Sequence, residues 1–222
     1  MIDAVIFDCD GVLVDSEILA HEVEIAALAE FGLDYDRAEF RERFMGMSNK
    51  AFFAALDGDA QARLGRSIID ELVPRVMERY RAVLRDRLAE VPGARSCIET
   101  VAHPKAVASS STIEGLDFKL RKAGLLEHFA PHVYSAEHVT HSKPAPDLFL
   151  HAAAALAMKP ARCLVIEDSV NGVKAGLAAG MTVWGFAGGG HMDDQAGRGL
   201  LTAGAVRLVN SWQEMRELLA EL

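Results

Sequence analysis

Cysteine is scarce: three in 222 residues, at Cys9, Cys97 and Cys163. An odd number so widely spaced offers neither a disulfide framework nor a zinc-ligand pattern, and it points to reduced thiols in a cytoplasmic protein. Basic residues are in deficit, with 23 Lys and Arg against 32 Asp and Glu and a net charge of −9. No Lys/Arg stripe is present, so nucleic acid is not an expected partner. Long apolar runs are missing too; the helix-like His151–Met158 is too short to cross a bilayer, so no membrane partner is expected. Met1-Ile2-Asp3 opens with neither a basic nor a long apolar stretch, which argues against a signal peptide. Composition and pattern also exclude disorder, coiled coil and repeats. What remains is a chain 50% hydrophobic and 25% charged, enough for one or two globular domains with a real core. Oligomeric state is not legible.

Four short apolar runs read as buried parallel strands: Ala4–Phe7, Ala106–Ala108, Cys163–Ile166 and Thr182–Phe186, with Val206–Val209 a weaker fifth. Helical patterns alternate with them at Ile113–Ala123, Leu148–Ala157, Val170–Ala179 and Trp212–Leu222. That alternation predicts an α/β fold with a doubly wound parallel sheet, in which ligands bind beyond the carboxyl ends of the strands. The stretch between the first two strands is far too long for one crossover helix. It is helix-like almost throughout, at Glu17–Phe31, Asp36–Phe44, Asn49–Leu56 and Ile68–Leu88, with Pro74 kinking the last or marking its start. The expectation is a core of residues 1–15 and 89–222 with an inserted α-helical cap domain over residues 16–88. Val14–Ser16 and Leu88–Pro92 would be the hinges.

The run Asp8-Cys9-Asp10-Gly11 closes the first strand with two carboxylates one residue apart. Strand alternation would aim both into one crevice and turn Cys9 away. Two acids so close need a hard divalent cation, a shared proton, or both. Polar groups gather at other strand ends as well: Ser109–Ser111, and Glu167 with Asp168. Taken singly, each has a plainer reading. An Asp at a strand end is commonly a turn or cap, Ser111 suits a helix cap, Asp147 suits a cap that braces Lys143, and His138 with His141 suits a solvated loop. Gly188-Gly189-Gly190-His191 lacks the spacing of a phosphate-binding loop and reads as a flexible connection.

Taken in order, Asp8-x-Asp10-Gly11, Val107-Ala-Ser109, Ser142-Lys143-Pro-Ala-Pro-Asp147 and Ile166-Glu167-Asp168-Ser169 resemble the haloacid dehalogenase superfamily, in its branch of small phosphatases and phosphomutases with a helical cap. The resemblance covers essentially the whole chain. It implies a Rossmann-like core and a Mg²⁺-dependent phosphatase acting on a small phosphorylated sugar or sugar acid. Asp8 would be the nucleophile, Asp10 the proton shuttle, Ser109 and the Ser110 backbone N–H donors to phosphoryl oxygens, and Lys143 the fixed positive charge. Mg²⁺ would be held by Asp8, the Asp10 carbonyl and Asp168, with Glu167 adjacent. Gly46, Asn49 and Lys50 of the cap would meet the substrate.

Relatives that cleave carbon–halogen or carbon–phosphorus bonds lack the second acid of the first motif, so Asp10 favours phosphate esters. In the mutase alternative, the cap motif ends in an arginine and a histidine follows the first motif. Here those positions are Asn49 and Ala20, with His21 facing elsewhere on its helix. Both departures favour hydrolysis, with Lys50 or Arg43 left to hold an anion. A non-enzymatic binding module would be expected to lack a key acid, and none is missing.

Overall fold

The computed structural model describes residues 1–44, 47 and 49–222, residues 49 and 50 as backbone only. The chain divides into two compact units, Met1–Glu17 with Leu88–Leu222, and Ile18–Arg87. The first unit is built on one all-parallel sheet of β1 (Ala4–Phe7), β2 (Lys105–Ser109), β3 (Val133–Ser135), β4 (Cys163–Glu167), β5 (Thr182–Phe186) and β6 (Arg207–Val209), in the order β3-β2-β1-β4-β5-β6. Eleven α-helices lie among the described residues: α1 (Ser16–Ala29), α2 (Arg37–Phe44), α3 (Asn49–Leu64), α4 (Ile69–Arg87), α5 (Ala94–Ile98), α6 (Ile113–Lys122), α7 (Leu126–Phe129), α8 (Asp147–Ala155), α9 (Val170–Ala178), α10 (Asp194–Thr202) and α11 (Trp212–Leu219).

β1 is apolar at every position because both faces of the sheet are covered. Ala4 and Ile6 join Ala106, Ala108, Val165 and Val183 under α8 and α9. Phe7 turns to the opposite face, where its ring lies 5.8 Å from Phe129 and 5.9 Å from Trp212. Each large side chain fully buried in this way stabilises the fold by roughly 1.5–3 kcal/mol. Trp212 Nε1 also donates to the Val12 carbonyl at 3.0 Å, tying α11 to the turn that follows β1.

The chain runs from β1 to β2 and β3 on one side, then returns to build β4, β5 and β6 on the other. Beyond the carboxyl ends of β1 and β4 lies the switch point where such sheets bind ligands. Phe7 pairs with both Val107 and Ile166, so Asp8 emerges level with Glu167. Where the chain leaves and re-enters this unit, its two crossings are joined: Asp15 N donates to Ala89 O at 3.1 Å, Val91 N donates to Leu13 O at 2.9 Å, and Val14 pairs antiparallel with Glu90.

Within the unit Ile18–Arg87, Tyr35, Phe40 and Phe44 form an edge-to-face cluster with Phe52, packed among Leu28, Leu33 and Leu72. The Tyr35 hydroxyl donates to Asp59 at 2.5 Å. Several expected bounds move. α3 runs on past Leu56 to Leu64, and Pro74 sits inside α4 rather than at its start. β6 begins at Arg207 rather than Val206, and both residues are exposed. β3 was not expected at all; it is a three-residue edge strand with only Ser135 fully buried, too short and too polar to show as an apolar run.

Candidate active site

β1 ends at Phe7, so the two acids of the first motif lie past the strand, in a tight turn. Leu13 N and Val14 N both donate to Cys9 O, and Gly11 N donates to Val14 O at 2.8 Å. The turn delivers what alternation alone was expected to deliver: Asp8 enters the site, Asp10 joins it, and Cys9 is buried in the core. Burial pushes the Cys9 thiol well up, with the neighbouring Asp10 charge adding to the effect, which leaves it inert as a nucleophile. Gly11 is in the left-handed region at φ 73°, and a Cβ there would strike Asp168 and His191.

Lys143 is the hub of one half of the site. Its Nζ donates to Asp8 Oδ1 at 2.6 Å, Glu167 Oε1 at 2.6 Å and the Ala108 carbonyl at 2.9 Å, with the Phe149 ring below at 4.8 Å. Burial works against its charge, but the Asp8 and Glu167 carboxylates more than compensate and hold the ammonium pKa above its ordinary value. The other oxygen of Glu167 accepts from both the backbone N–H and the hydroxyl of Ser169, at 2.9 Å each. Gly172 is held to a bare backbone by this carboxylate, which a Cβ would overlap.

Asp8 and Asp168 both have pKa values raised well above the ordinary value, by burial and by neighbouring acids, and for both the Lys143 charge offsets part of this. Asp8, Glu167 and Asp168 can each present one oxygen within 4.8 Å of the others. An all-oxygen, acid-rich set that repels itself fits a hard dication such as Mg²⁺. Asp168 Oδ2 also meets His191 Nε2 at 3.0 Å, and Gly190 N donates to Asp15 at 3.0 Å. The glycine loop expected to be a flexible connection is therefore fastened to the site.

Asp10 is surrounded by donors. Ser16 Oγ reaches Oδ1 at 2.5 Å, Ser111 Oγ reaches Oδ2 at 2.8 Å, Ser109 Oγ reaches Oδ2 at 3.2 Å, and Lys119 Nζ pairs with Oδ1. Burial raises its pKa, but the Lys119 charge and these hydrogen bonds bring it below the ordinary value. Ser111 is thus not the helix cap; Thr112 is, accepting from Gly115 N at 3.1 Å. Asp147 neither caps its helix nor touches Lys143, but pairs with His141 at 3.1 Å. His138 is exposed, as expected, and its ring also accepts from Ser135 N at 2.9 Å to close a capping box.

Ser110 is exposed at the end of β2. Arg43 is engaged with Asp59 rather than held open for an anion, and the His21 ring packs on Phe40 at 5.7 Å. Gly46 lies outside the described residues, as do the side chains of Asn49 and Lys50. Lys119, Ser16, Glu17 and His191 join the site without belonging to any of its motifs. Glu17 has its pKa raised to about 7, by burial and then by Asp10 and Asp168. Lys119 alone carried a legible signal: it occupies the apolar stripe of α6 with Leu116 and Leu120.

Residues 2–180 match the model of the haloacid dehalogenase-like hydrolases. The chain is 28% identical over 190 residues to the 6-phosphogluconate phosphatase of Escherichia coli, covering 86% of this chain and 85% of that protein. It is 31% identical over 224 residues to the phosphorylated carbohydrates phosphatase of Thermotoga maritima, covering 99% of both. A haloacid dehalogenase family hydrolase from Deinococcus radiodurans, solved with bound phosphate and sodium, superposes with a TM-score of 0.85 at 38% identity, over 99% of this chain and 96% of that one. With the motifs, the sheet order and the family match in agreement, the chain belongs to the haloacid dehalogenase-like hydrolases.

Proposed function

We propose that this hydrolase is a phosphoric monoester hydrolase that releases phosphate from a small sugar phosphate or sugar-acid phosphate through an aspartyl-phosphate. The observation that carries the reading is the second acid, Asp10, held beside the first by hydroxyl and ammonium donors. An alkoxide leaving group needs a proton, and a carbon–halogen bond does not. The relatives named for phosphogluconate and phosphorylated carbohydrates support the substrate class.

In the first step an Asp8 carboxylate oxygen bonds to phosphorus as the ester P–O bond breaks. The electron pair leaves on the ester oxygen, which takes its proton from Asp10. A phosphate dianion arriving beside Asp10 raises its pKa and favours the protonated form needed here. In the second step water attacks phosphorus, Asp10 accepts its proton, and the Asp8–phosphorus bond breaks to restore the carboxylate. Lys143 stays charged throughout, holding Asp8 and countering charge on the phosphoryl oxygens. The Ser109 hydroxyl, whose 3.2 Å bond to Asp10 is long, is the one a phosphoryl oxygen would capture, with the Ser110 N–H beside it. Asp8, Asp168 and the Asp10 carbonyl would hold Mg²⁺, which when bound neutralises phosphoryl and nucleophile charge; Glu167, engaged by Lys143 and Ser169, would brace rather than bind.

The test is phosphate release from a panel of phosphorylated metabolites with Mg²⁺, run beside Asp8→Asn. Turnover of sugar or sugar-acid phosphates that vanishes in the variant is expected. Release that persists in Asp8→Asn, or none from any compound, would reject the reading. Asn49→Ala and Lys50→Ala test the substrate-contact expectation, through KM shifts that differ between substrates.

A further inference from the structure

We infer that Lys119 is a positioning residue for Asp10: it holds the carboxylate where it can meet the leaving-group oxygen, and its removal selectively slows esters whose leaving group needs a proton. The inference rests on the reading of Asp10 as the proton shuttle. It starts from placement. α6 is amphipathic, and its buried positions Leu116, Lys119 and Leu120 form one stripe. A lysine in such a stripe ordinarily reaches out to solvent along its methylene stem. Lys119 instead has only 6% of its surface exposed. An ammonium withdrawn that far from water is costly unless a carboxylate and further hydrogen bonds compensate.

Both compensations are present, and both lead to Asp10. The Nζ pairs with Asp10 Oδ1 and donates to Ser111 Oγ at 2.9 Å, while Ser111 itself donates to Asp10 Oδ2 at 2.8 Å. The lysine therefore reaches one oxygen directly and the other through a hydroxyl. Ser135 Oγ fixes the Ser111 carbonyl at 2.6 Å, so the bridging residue is itself braced by β3. The site thus keeps two lysines for separate tasks: Lys143 serves Asp8 and Glu167, and Lys119 serves Asp10. A carboxylate fixed at both oxygens cannot rotate toward the Asp8, Glu167 and Asp168 cluster or away from the substrate. Geometric precision of this kind is what proton transfer in a transition state requires.

The experiment compares kcat/KM for a hexose 6-phosphate, whose alkoxide needs a proton, and 4-nitrophenyl phosphate, whose phenoxide leaves without one. Wild type, Lys119→Met and Asp10→Asn are measured with Mg²⁺. Lys119→Met is expected to lose about a hundredfold on the hexose phosphate and less than about fivefold on the aryl phosphate. Equal losses on both, or no loss on either, would overturn the inference, because a merely structural lysine has no reason to distinguish leaving groups. If Asp10→Asn is selective and Lys119→Met is not, the lysine inference fails alone. If Asp10→Asn is itself unselective, the shuttle reading fails and takes the lysine's role with it. Should Lys119→Met not fold, Ser111→Ala decides: a selective loss of about tenfold supports the inference, and an unselective or absent one rejects it.

Discussion

Asp8 and Asp10 stand two residues apart but should fail differently. Asp8→Asn is expected to abolish phospho-enzyme trapping in rapid quench. Asp10→Asn keeps the main-chain carbonyl and should lower turnover by about a hundredfold to ten-thousandfold, the range of general acid–base catalysis. Glu17 offers a pH-dependent test. Its folded pKa of about 7 lies above the unfolded value of 4.5, so the folded state is favoured below pH 4.5 and loses that advantage as pH rises through 7. Glu17→Gln, unfolded by urea in the presence of chelator, should match wild type near pH 4 and exceed it near pH 8, by about 1–2 kcal/mol once partial exposure is allowed for. A constant difference across that range would show that Glu17 is not perturbed. Gly172→Ala should cripple activity by displacing Glu167 from Lys143, visible as lost turnover at unchanged helix content.

Elements differ in how far the sequence announces them. β1, β4 and β5 are covered on both faces and show as unbroken apolar runs. β3 and β6 lie at the sheet edges, three residues each and partly polar, and the signal fades with the covering. That Asp8, Asp10, Ser109, Lys143, Glu167 and Asp168 gather at one end of the sheet was legible because residue order along the chain carries it. Ser16 and His191 belong to no motif and give no such signal, and Lys119 and His191 meet Asp10 and Asp168 only once the chain has folded. Lys119 sat in plain view on a hydrophobic stripe, where a lysine is ordinarily a snorkelling one. α11 supplies a prediction of its own. Trp212→Ala removes a buried indole, its bond to Val12 O and its packing on Phe7, and should destabilise the protein by about 3–5 kcal/mol in chemical denaturation.

For the molecule as a whole, the balance of charge in the site bears on the metal dependence proposed above. Asp8, Asp10, Glu167 and Asp168 face two lysines; the partners of Asp10 bring its pKa below normal, while the pKa values of Asp8 and Asp168 stay raised. Exhaustive chelation should abolish turnover and Mg²⁺ restore it, while Ca²⁺, larger and looser in coordination, should inhibit. Full activity in chelator would contradict the arrangement.

The paired crossings at Leu13–Asp15 and Ala89–Val91 have a consequence for descent as well as for folding. They hold the ends of the intervening segment together, so to the sheet it is a closed loop. Closing a longer loop costs little, about 0.6 kcal/mol for each doubling of length. What lies between Glu17 and Leu88 can therefore be lengthened or shortened at little entropic cost to the sheet. Under the proposed function, a lineage could trade one insert for another at this staple and leave the acids and lysines at the sheet's carboxyl end untouched.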